Sequence, residues 1–363
     1  MAKKNHYSAS IVFHPGETLS EKLEEMKMGP KEFALRCNKP EKTIIAVLQG
    51  KSALTPDMAV LFEKATRIPA HFWMNLQKSY DEFIAREQHQ MVIKESVAWA
   101  QQFPLADMIK KGWLSPVTTL QEKTMALLTF FGFAHPTAWE KYYLNQQLKV
   151  AFRISLAETH QPYALSAWLR KGALQANELV ENEYSEKKFK DALPQFKAIM
   201  ATQPKGFFLQ LQRICVEAGV KVVYTPSLPK TTINGCTRWL NNTPFIQLTD
   251  RYKRNDFFWF TFFHAVGHIL LHGKKDIFLE NIEYADKELH KEQEANEFAY
   301  KWLLSKDEEL EILDVTTLSK EKIKKFAKKF NTHPSIIIGR LHDKKSVSAT
   351  LRNHYFEPIT LDK

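Results

Sequence analysis

The sequence lacks the features of secreted, disulfide-linked and membrane-spanning proteins. Its 363 residues include only three cysteines, Cys37, Cys215 and Cys236, and no two of them have the Cys-x-x-Cys spacing. No apolar run reaches the roughly 18 residues that span a bilayer. The slightly basic start, Met1–His6, is not followed by the apolar segment of a signal peptide. We therefore expect a protein of the reducing cytoplasm without a membrane anchor.

Low-complexity tracts of glycine, proline or glutamine are also absent. With 44% hydrophobic and 25% charged residues, the composition is typical of a globular protein, and the length favours two or three domains. Lys and Arg number 51 against 41 Asp and Glu, which gives a net charge of +10. This excess attracts polyanions, but by itself it favours a nucleic-acid partner only slightly.

The apolar pattern changes twice along the chain. Residues 17–80 read as short helices separated by Gly and Pro, and residues 89–204 read as further helices without a chemical motif. After Gly219 the pattern predicts three short strands, followed by more helices. We predict a mostly α protein with a small α+β domain, divided into residues 1–88, 89–204 and 205–363.

A helix-turn-helix is the first functional candidate. A short helix, a tight turn and a second amphipathic helix over Glu41–Gln49 would place that second helix in the major groove of DNA. Ile44, Val47 and Leu48 would hold it on the core. The outward residues, predicted to contact phosphates and base edges, are Lys39, Lys42, Thr43, Gln49 and Lys51.

Several motifs within residues 12–87 resemble those of HigA-type antitoxin repressors of the XRE helix-turn-helix class. In chain order they are His14-Pro15-Gly16-Glu17, Thr55-Pro56-Asp57-Met58-Ala59, Phe72-Trp73-Met74-Asn75-Leu76-Gln77 and Tyr80-Asp81. The resemblance implies a homodimer that binds operator DNA and neutralises a toxin encoded beside it. It does not say which operator is bound.

The second candidate is a metal site. His264 and His268 are four residues apart, so both imidazoles lie on one helix face and can meet one zinc ion. A later helix offers three carboxylates as the third ligand. We predict Glu294, keep Glu292 as the alternative and expect Glu297 to be solvated. His272 lies too far from His264 along the helix for one metal to bind all three histidines, so we expect it outside the ligand set.

This segment resembles ImmA/IrrE-type metallopeptidases over roughly residues 205–345. Those proteins carry a His-Glu-x-Gly-His helix and a later Glu-Ala-Asn-x-Phe-Ala helix, matched here by His264–His268 and Glu294–Ala299. The resemblance implies a zincin-like fold, Zn²⁺ as cofactor and peptide hydrolysis. One position departs from the pattern: Ala265 stands where the family has its general-base glutamate. We therefore expect zinc binding to survive and hydrolysis to be largely lost.

Three hypotheses follow for the whole chain. In the first, the native protein is a repressor fused to a zinc peptidase that cleaves a partner regulator, a toxin or its own linker, and Ala265 marks an inactivated variant. In the second, Ala265 is natural and the protein is a non-catalytic antitoxin that represses its operon and sequesters a toxin. In the third, which we favour least, the metal site binds a small signal that releases DNA.

Overall fold

The computed structural model describes residues 12–144, 161–180, 182–229, 231, 233–249, 251, 254–272, 278–279, 286–315, 318–343, 355, 359 and 361. The chain forms two compact units, residues 1–96 and residues 97–363. In the described part, no helix is both long enough and apolar enough to cross a membrane.

From residue 12 onward, the N-terminal unit consists of five helices: α1 (Pro15–Glu25), α2 (Pro30–Arg36), α3 (Glu41–Leu48), α4 (Pro56–Thr66) and α5 (Ala70–Glu95). The helix-start residues predicted from the sequence are found at the first turns of α2 and α4. Proline opens α1, α2 and α4, where its missing N–H is not needed. Thr55 caps α4, because its hydroxyl accepts a hydrogen bond from the Met58 amide at 3.3 Å.

The core of this unit fixes the orientation of α3. Ile44 and Val47 on α3 are completely buried, and Leu48 packs against the same core, as the sequence predicted. The aromatic rings of Phe62 and Trp73 meet edge to face at a centroid distance of 5.7 Å. The opposite face of α3 is therefore left exposed, with α2 and α3 joined by a tight turn at Asn38 (φ 49°).

In the second unit, the described residues before the sheet form eight α-helices: α6 (Val97–Ala100), α7 (Leu105–Lys110), α8 (Leu120–Phe131), α9 (Pro136–Trp139), α10 (Pro162–Asn177), α11 (Glu186–Asp191), α12 (Leu193–Thr202) and α13 (Phe207–Glu217). Phe189 and Phe196, on α11 and α12, belong to the same hydrophobic core as Phe262 far along the chain. The core thus crosses the predicted boundary at residue 204, and the division into three domains stays a prediction.

A small sheet follows, with strands β1 (Lys221–Tyr224), β2 (Gly235–Leu240), β3 (Thr243–Leu248) and β4 (Phe278–Leu279) in the spatial order β1-β3-β2-β4. The first three strands confirm the prediction. β1 pairs with β3 in parallel, whereas β2 pairs antiparallel with both β3 and β4. Asn241 closes the β2–β3 turn in the left-handed region (φ 57°), which Asn tolerates better than most residues. The prediction missed β4, because two residues carry no period.

The remaining helices are α14 (Asn255–Leu271), α15 (Asp286–Leu303), α16 (Lys306–Leu313), α17 (Lys320–Lys329) and α18 (Pro334–Asp343). α14 lies against β2 and β3 on one side and against α15 and α18 on others. Apolar residues therefore surround most of α14, and its histidine-bearing stripe faces α15.

Candidate metal centre and DNA-binding helix

The imidazole rings of two buried histidines on α14 face each other. His264 and His268 are 3% and 2% exposed, and their Nε2 atoms lie 2.8 Å apart. The i, i+4 spacing on a regular helix places both rings on one face, as the sequence predicted. The two nitrogens converge on one point beside α15.

Glu292 of α15 completes this arrangement. Its Oε2 lies 3.2 Å from His264 Nε2, and its Oε1 lies 3.4 Å from His268 Nε2. Among the described residues, His264, His268 and Glu292 form the one group of three metal-ligating side chains whose ligand atoms all lie within 4.8 Å of one another. We call this group the His–His–Glu cluster.

The geometry corrects the choice of Glu294 as third ligand. Glu294 Oε2 instead lies 3.2 Å from His272 Nε2 and 3.3 Å from His290 Nδ1. The face of α15 toward α14 carries positions 292, 295, 296 and 299, at i, i+3, i+4 and i+7 spacing, and residue 294 lies about 200° around the helix from residue 292. Glu297 is exposed, as we expected.

A glycine brings the two helices close enough for this contact. A Cβ at Gly267 would lie only 3.2 Å from both Ala295 Cα and Phe298 Cβ. With a side chain there, α15 or the Phe298 side chain would have to shift by a few tenths of an ångström. The absence of a side chain at Gly267 therefore favours the close approach that brings Glu292 to the histidines.

Partners on the outer nitrogens orient both imidazoles. His264 Nδ1 lies 3.0 Å from Asn296 Oδ1, and His268 Nδ1 lies 2.9 Å from His272 Nδ1. The Phe278 ring stacks on His268 at a centroid distance of 3.6 Å. Such contacts fix the ring orientation and the tautomer of metal-ligating histidines. Neither Asn296 nor Phe278 was predicted to lie at the site. The position of Asn296 in the Glu-Ala-Asn motif could have indicated it, whereas the sequence carries no signal for Phe278.

Burial and hydrogen bonding set the charges of the cluster. Burial lowers the pKa of His268 to about 4, against the opposing effect of Glu292. For Glu292, burial raises the pKa, but the hydrogen bonds from His264 and His268 outweigh it and lower the pKa to about 2. At neutral pH His268 is therefore a neutral imidazole and Glu292 a carboxylate, which are the forms that bind a metal.

These residues fit a zinc ion. Two imidazole nitrogens and one carboxylate are a ligand set of catalytic zinc sites, which keep the fourth position open. Glu292 Oε1 is buried and makes no well-formed hydrogen bond, with His268 Nε2 3.4 Å away as its neighbour in the cluster, and a bound cation would satisfy this oxygen. Ala265, next to His264, is 1% exposed and offers a methyl group that can neither accept nor donate a proton.

The predicted DNA-contacting residues lie around α3. Lys42, Gln49 and Lys51 are exposed, whereas Thr43 and Lys39 are half-buried. Lys39 Nζ also pairs with Asp57 Oδ2 at 2.6 Å, so part of its charge is already neutralised.

Three residues to which the sequence analysis gave no individual role help to hold α3 in place: His14, Gly16 and Gln77. A Cβ at Gly16 would lie 2.0 Å from the Val47 carbonyl oxygen, so α1 can touch the end of α3 only with glycine there. His14 Nδ1 accepts a hydrogen bond from the Gly16 amide at 3.0 Å and caps α1 together with Glu17. Gln77 Oε1 accepts one from the Leu54 amide at 2.7 Å, just after α3.

The two units are similar to different kinds of known protein. The chain is 33% identical over 66 residues to the HTH-type transcriptional regulator YddM of Escherichia coli (strain K12), a match that covers 18% of this chain and 70% of that relative. Through this match the chain belongs to the HTH-type transcriptional regulators. Residues 215–342 match the sequence model of the IrrE N-terminal-like domain, Peptidase_M78.

Solved structures similar to part of the chain include antitoxins. The antitoxin HigA of Pseudomonas aeruginosa, solved with the higBA promoter, is 28% identical and covers 23% of this chain and 94% of its own, with a TM-score of 0.22. A HigA-family addiction module antidote protein from Coxiella burnetii is 30% identical and covers 30% and 96%, with a TM-score of 0.20.

Proposed function

We propose that the protein is a DNA-binding repressor of the antitoxin type whose second unit is a zinc endopeptidase, inactivated in this chain by Ala265. The observation that carries the proposal is the His–His–Glu cluster, which keeps a complete ligand set beside a residue that cannot act as a base. The native form, with glutamate at position 265, would cleave a partner regulator or toxin.

The DNA-binding part rests on the exposed face of α3. Lys42, Gln49 and Lys51 would contact phosphates or base edges of an operator, with Thr43 and Lys39 beside them. The membership in the HTH-type regulators and the resemblance to HigA-type repressors support this role. A homodimer would present two copies of α3 to paired half-sites. Repression of an operon and three free buried cysteines are consistent with a cytoplasmic location.

The peptidase part assigns a task to each residue. His264, His268 and Glu292 would hold the zinc, while Asn296 and His272 keep the two imidazole rings in orientation. Zinc, when bound, supplies a Lewis acid for water activation and for the oxyanion of the attacked carbonyl. A glutamate at position 265 would accept a proton from the attacking water and pass it to the leaving amine.

The peptidase proposal is tested by restoring the general-base glutamate at position 265. Zinc-loaded Ala265→Glu protein is mixed with the proteins encoded beside its gene, and the products, including fragments of the chain itself, are identified by mass spectrometry. We expect cleavage to rise by about 100-fold or more over the Ala265 chain, the contribution typical of a positioned base. Ala265→Gln is the matched control, since it has a similar size but no basic group. Metal content is measured in all three proteins, and we expect about one zinc per chain in each.

The second candidate function, a non-catalytic antitoxin, is favoured by Ala265 itself if the natural sequence has it. In that case the protein would bind its toxin in a fixed ratio and leave it intact. A zinc-loaded Ala265→Glu protein that cuts no partner, together with a stable complex with an uncleaved toxin, would make this the better description.

A further inference from the structure

A cavity of about 250 Å³ lies in the second unit, outside the His–His–Glu cluster. Six of its lining residues have apolar or aromatic side chains: Phe257, Phe260, Tyr300, Leu303, Leu304 and Ile336. Charged groups stand at its edge, with Arg340 of α18 and Asp256 of α14 among the lining residues. None of these residues has a role in the function proposed above.

The cavity borders the metal ligands through Phe260. Phe260 precedes His264 by four residues on α14, about one helical turn or 6 Å, whereas Tyr300 follows Glu292 by eight residues on α15, about 12 Å. The Phe260 ring lies 5.8 Å from the His264 ring and 5.3 Å from the Tyr300 ring, measured between centroids. Phe260 is therefore both a wall of the cavity and a neighbour of a metal ligand.

Arg340 is held firmly at the cavity edge. Its guanidinium carbon lies 3.7 Å above the centre of the Tyr300 ring, and its Nε lies 3.1 Å from Glu309 Oε2. Glu309 is itself 2% exposed, so this ion pair is anchored inside the protein. A fixed guanidinium offers several N–H donors in one plane, which suits the carbonyl oxygens of a peptide backbone.

Gly339 of α18 and Asp256 of α14 lie against each other and form one side of the cavity, which we call its floor. A Cβ at Gly339 would lie 2.3 Å from Asp256 Oδ2, so a side chain at residue 339 would displace the Asp256 carboxylate at the start of α14. Asp256 in turn pairs with Arg254 Nη2 at 2.5 Å. The floor is thus rigid, and the cavity is a formed feature of the packing.

Size decides what the cavity can hold. Sites for small-molecule ligands usually enclose about 300–1,000 Å³, and this cavity of about 250 Å³ lies just below that range, so it suits one large side chain. The apolar lining favours an aliphatic or aromatic group. The contact between Phe260 and His264 favours a group attached to the molecule that is presented to the metal ligands, since a free metabolite would need no such neighbour.

We propose that this cavity is a specificity pocket that receives one large aliphatic or aromatic side chain of the protein substrate, close to the bond presented to the His–His–Glu cluster. Arg340 binds the substrate backbone at the pocket edge. The proposal rests on the peptidase function proposed above, since it names the class of residue that this same site selects.

A binding experiment tests the pocket without any need for catalysis. The Ala265 chain, labelled at its isoleucine methyl groups, is titrated with N-acetyl-phenylalaninamide, N-acetyl-leucinamide and, as control, N-acetyl-glycinamide. We expect saturable shifts of the Ile336 methyl signal for the first two, with dissociation constants on the order of a millimolar, and none for the third. If the Ile336 signal does not move with any of the three compounds, the pocket proposal is wrong, whatever the peptidase does.

A cleavage profile tests its role in selection. Zinc-loaded Ala265→Glu protein is given a mixed peptide library, and the cleaved bonds are read by mass spectrometry. We expect Leu, Met or Phe to be enriched about tenfold at one position beside the cleaved bond. Adding Leu303→Phe fills the pocket and should remove this preference, whereas adding Leu310→Phe, on exposed α16, should leave it unchanged.

A second variant guards against a misfolded Leu303→Phe protein. Phe257 is only half-buried, and Phe257→Ala widens the pocket, so the preference should move toward Phe and Trp. Metal content and melting temperature show whether each variant is folded. Cleavage without any apolar preference, or a preference that neither pocket variant changes, would overturn the pocket proposal but leave the peptidase intact. No cleavage, together with Ile336 shifts, would instead count against the peptidase alone.

Discussion

The two units present their functional side chains in opposite ways. In the N-terminal unit the candidate DNA contacts Lys42, Gln49 and Lys51 are exposed. In the second unit the candidate metal ligands His264 and His268 are buried, and their ligand atoms lie within 4.8 Å of each other and of Glu292. We therefore expect the exposed surface to tolerate the loss of one contact better than the buried cluster tolerates the loss of one ligand.

The largest expected effect is at the third ligand. Glu292→Ala removes a carboxylate that faces both imidazoles, so we expect zinc affinity to fall by at least about 100-fold. Glu294→Ala is the matched control on the same helix. Among the described residues its carboxylate pairs with His272 and His290 and not with His264 or His268, so we expect a loss of about tenfold or less. Titration with zinc against a competing chelator measures both, and equal losses would restore Glu294 as a candidate ligand.

The next effect concerns the helix contact that positions α3. Gly16→Ala places a methyl group against the Val47 carbonyl oxygen and forces α1 away from α3, at a cost of about 2–3 kcal/mol in the free energy of unfolding of this unit. Hydrogen exchange of the α1 and α3 amides in the full chain measures it. Gly29→Ala is the control, because nothing lies within 4 Å of a Cβ at that position. Similar exchange in the two variants would mean that α1 does not support α3.

The smallest effect is at one exposed lysine. Lys42→Ala removes one proposed phosphate contact, so operator affinity should fall modestly and the slope of log K against log salt should decrease by about one. Lys64→Ala, an exposed lysine on α4, serves as the control. Fluorescence anisotropy with the operator at several salt concentrations gives the slope. If Lys42→Ala leaves the slope unchanged, α3 does not contact phosphate through this residue.

Local sequence rules were sufficient for most of the elements. Proline at the first helical position, Thr55 as a cap and the apolar spacing of Ile44 and Val47 act within a few residues, so the five helices of the N-terminal unit could be predicted. The same holds for His264 and His268, because i, i+4 spacing alone puts them on one face. Strand β4 was missed because its two residues pair with a strand some forty residues earlier.

The third candidate ligand could not be predicted from local sequence spacing. Glu292 and Glu294 belong to the same short stretch of helix, and both are carboxylates, so no periodicity ranks one above the other without knowing which face meets α14. The close approach at Gly267 and Ala295 decides it, since it turns positions 292 and 296 toward the histidines. The Phe260–Tyr300 wall of the cavity depends on the same approach.

The sequence by itself determined the helix-turn-helix, the two histidines of α14 and the alanine that replaces the general base, because each is a matter of residue type at a fixed local spacing. Only the tertiary structure decided that Glu292 joins the cluster, that Asn296 and His272 orient it, that Gly16 bears on α3, and that a cavity opens beside Phe260. Those features join residues tens of positions apart, and their distances follow from how whole helices pack.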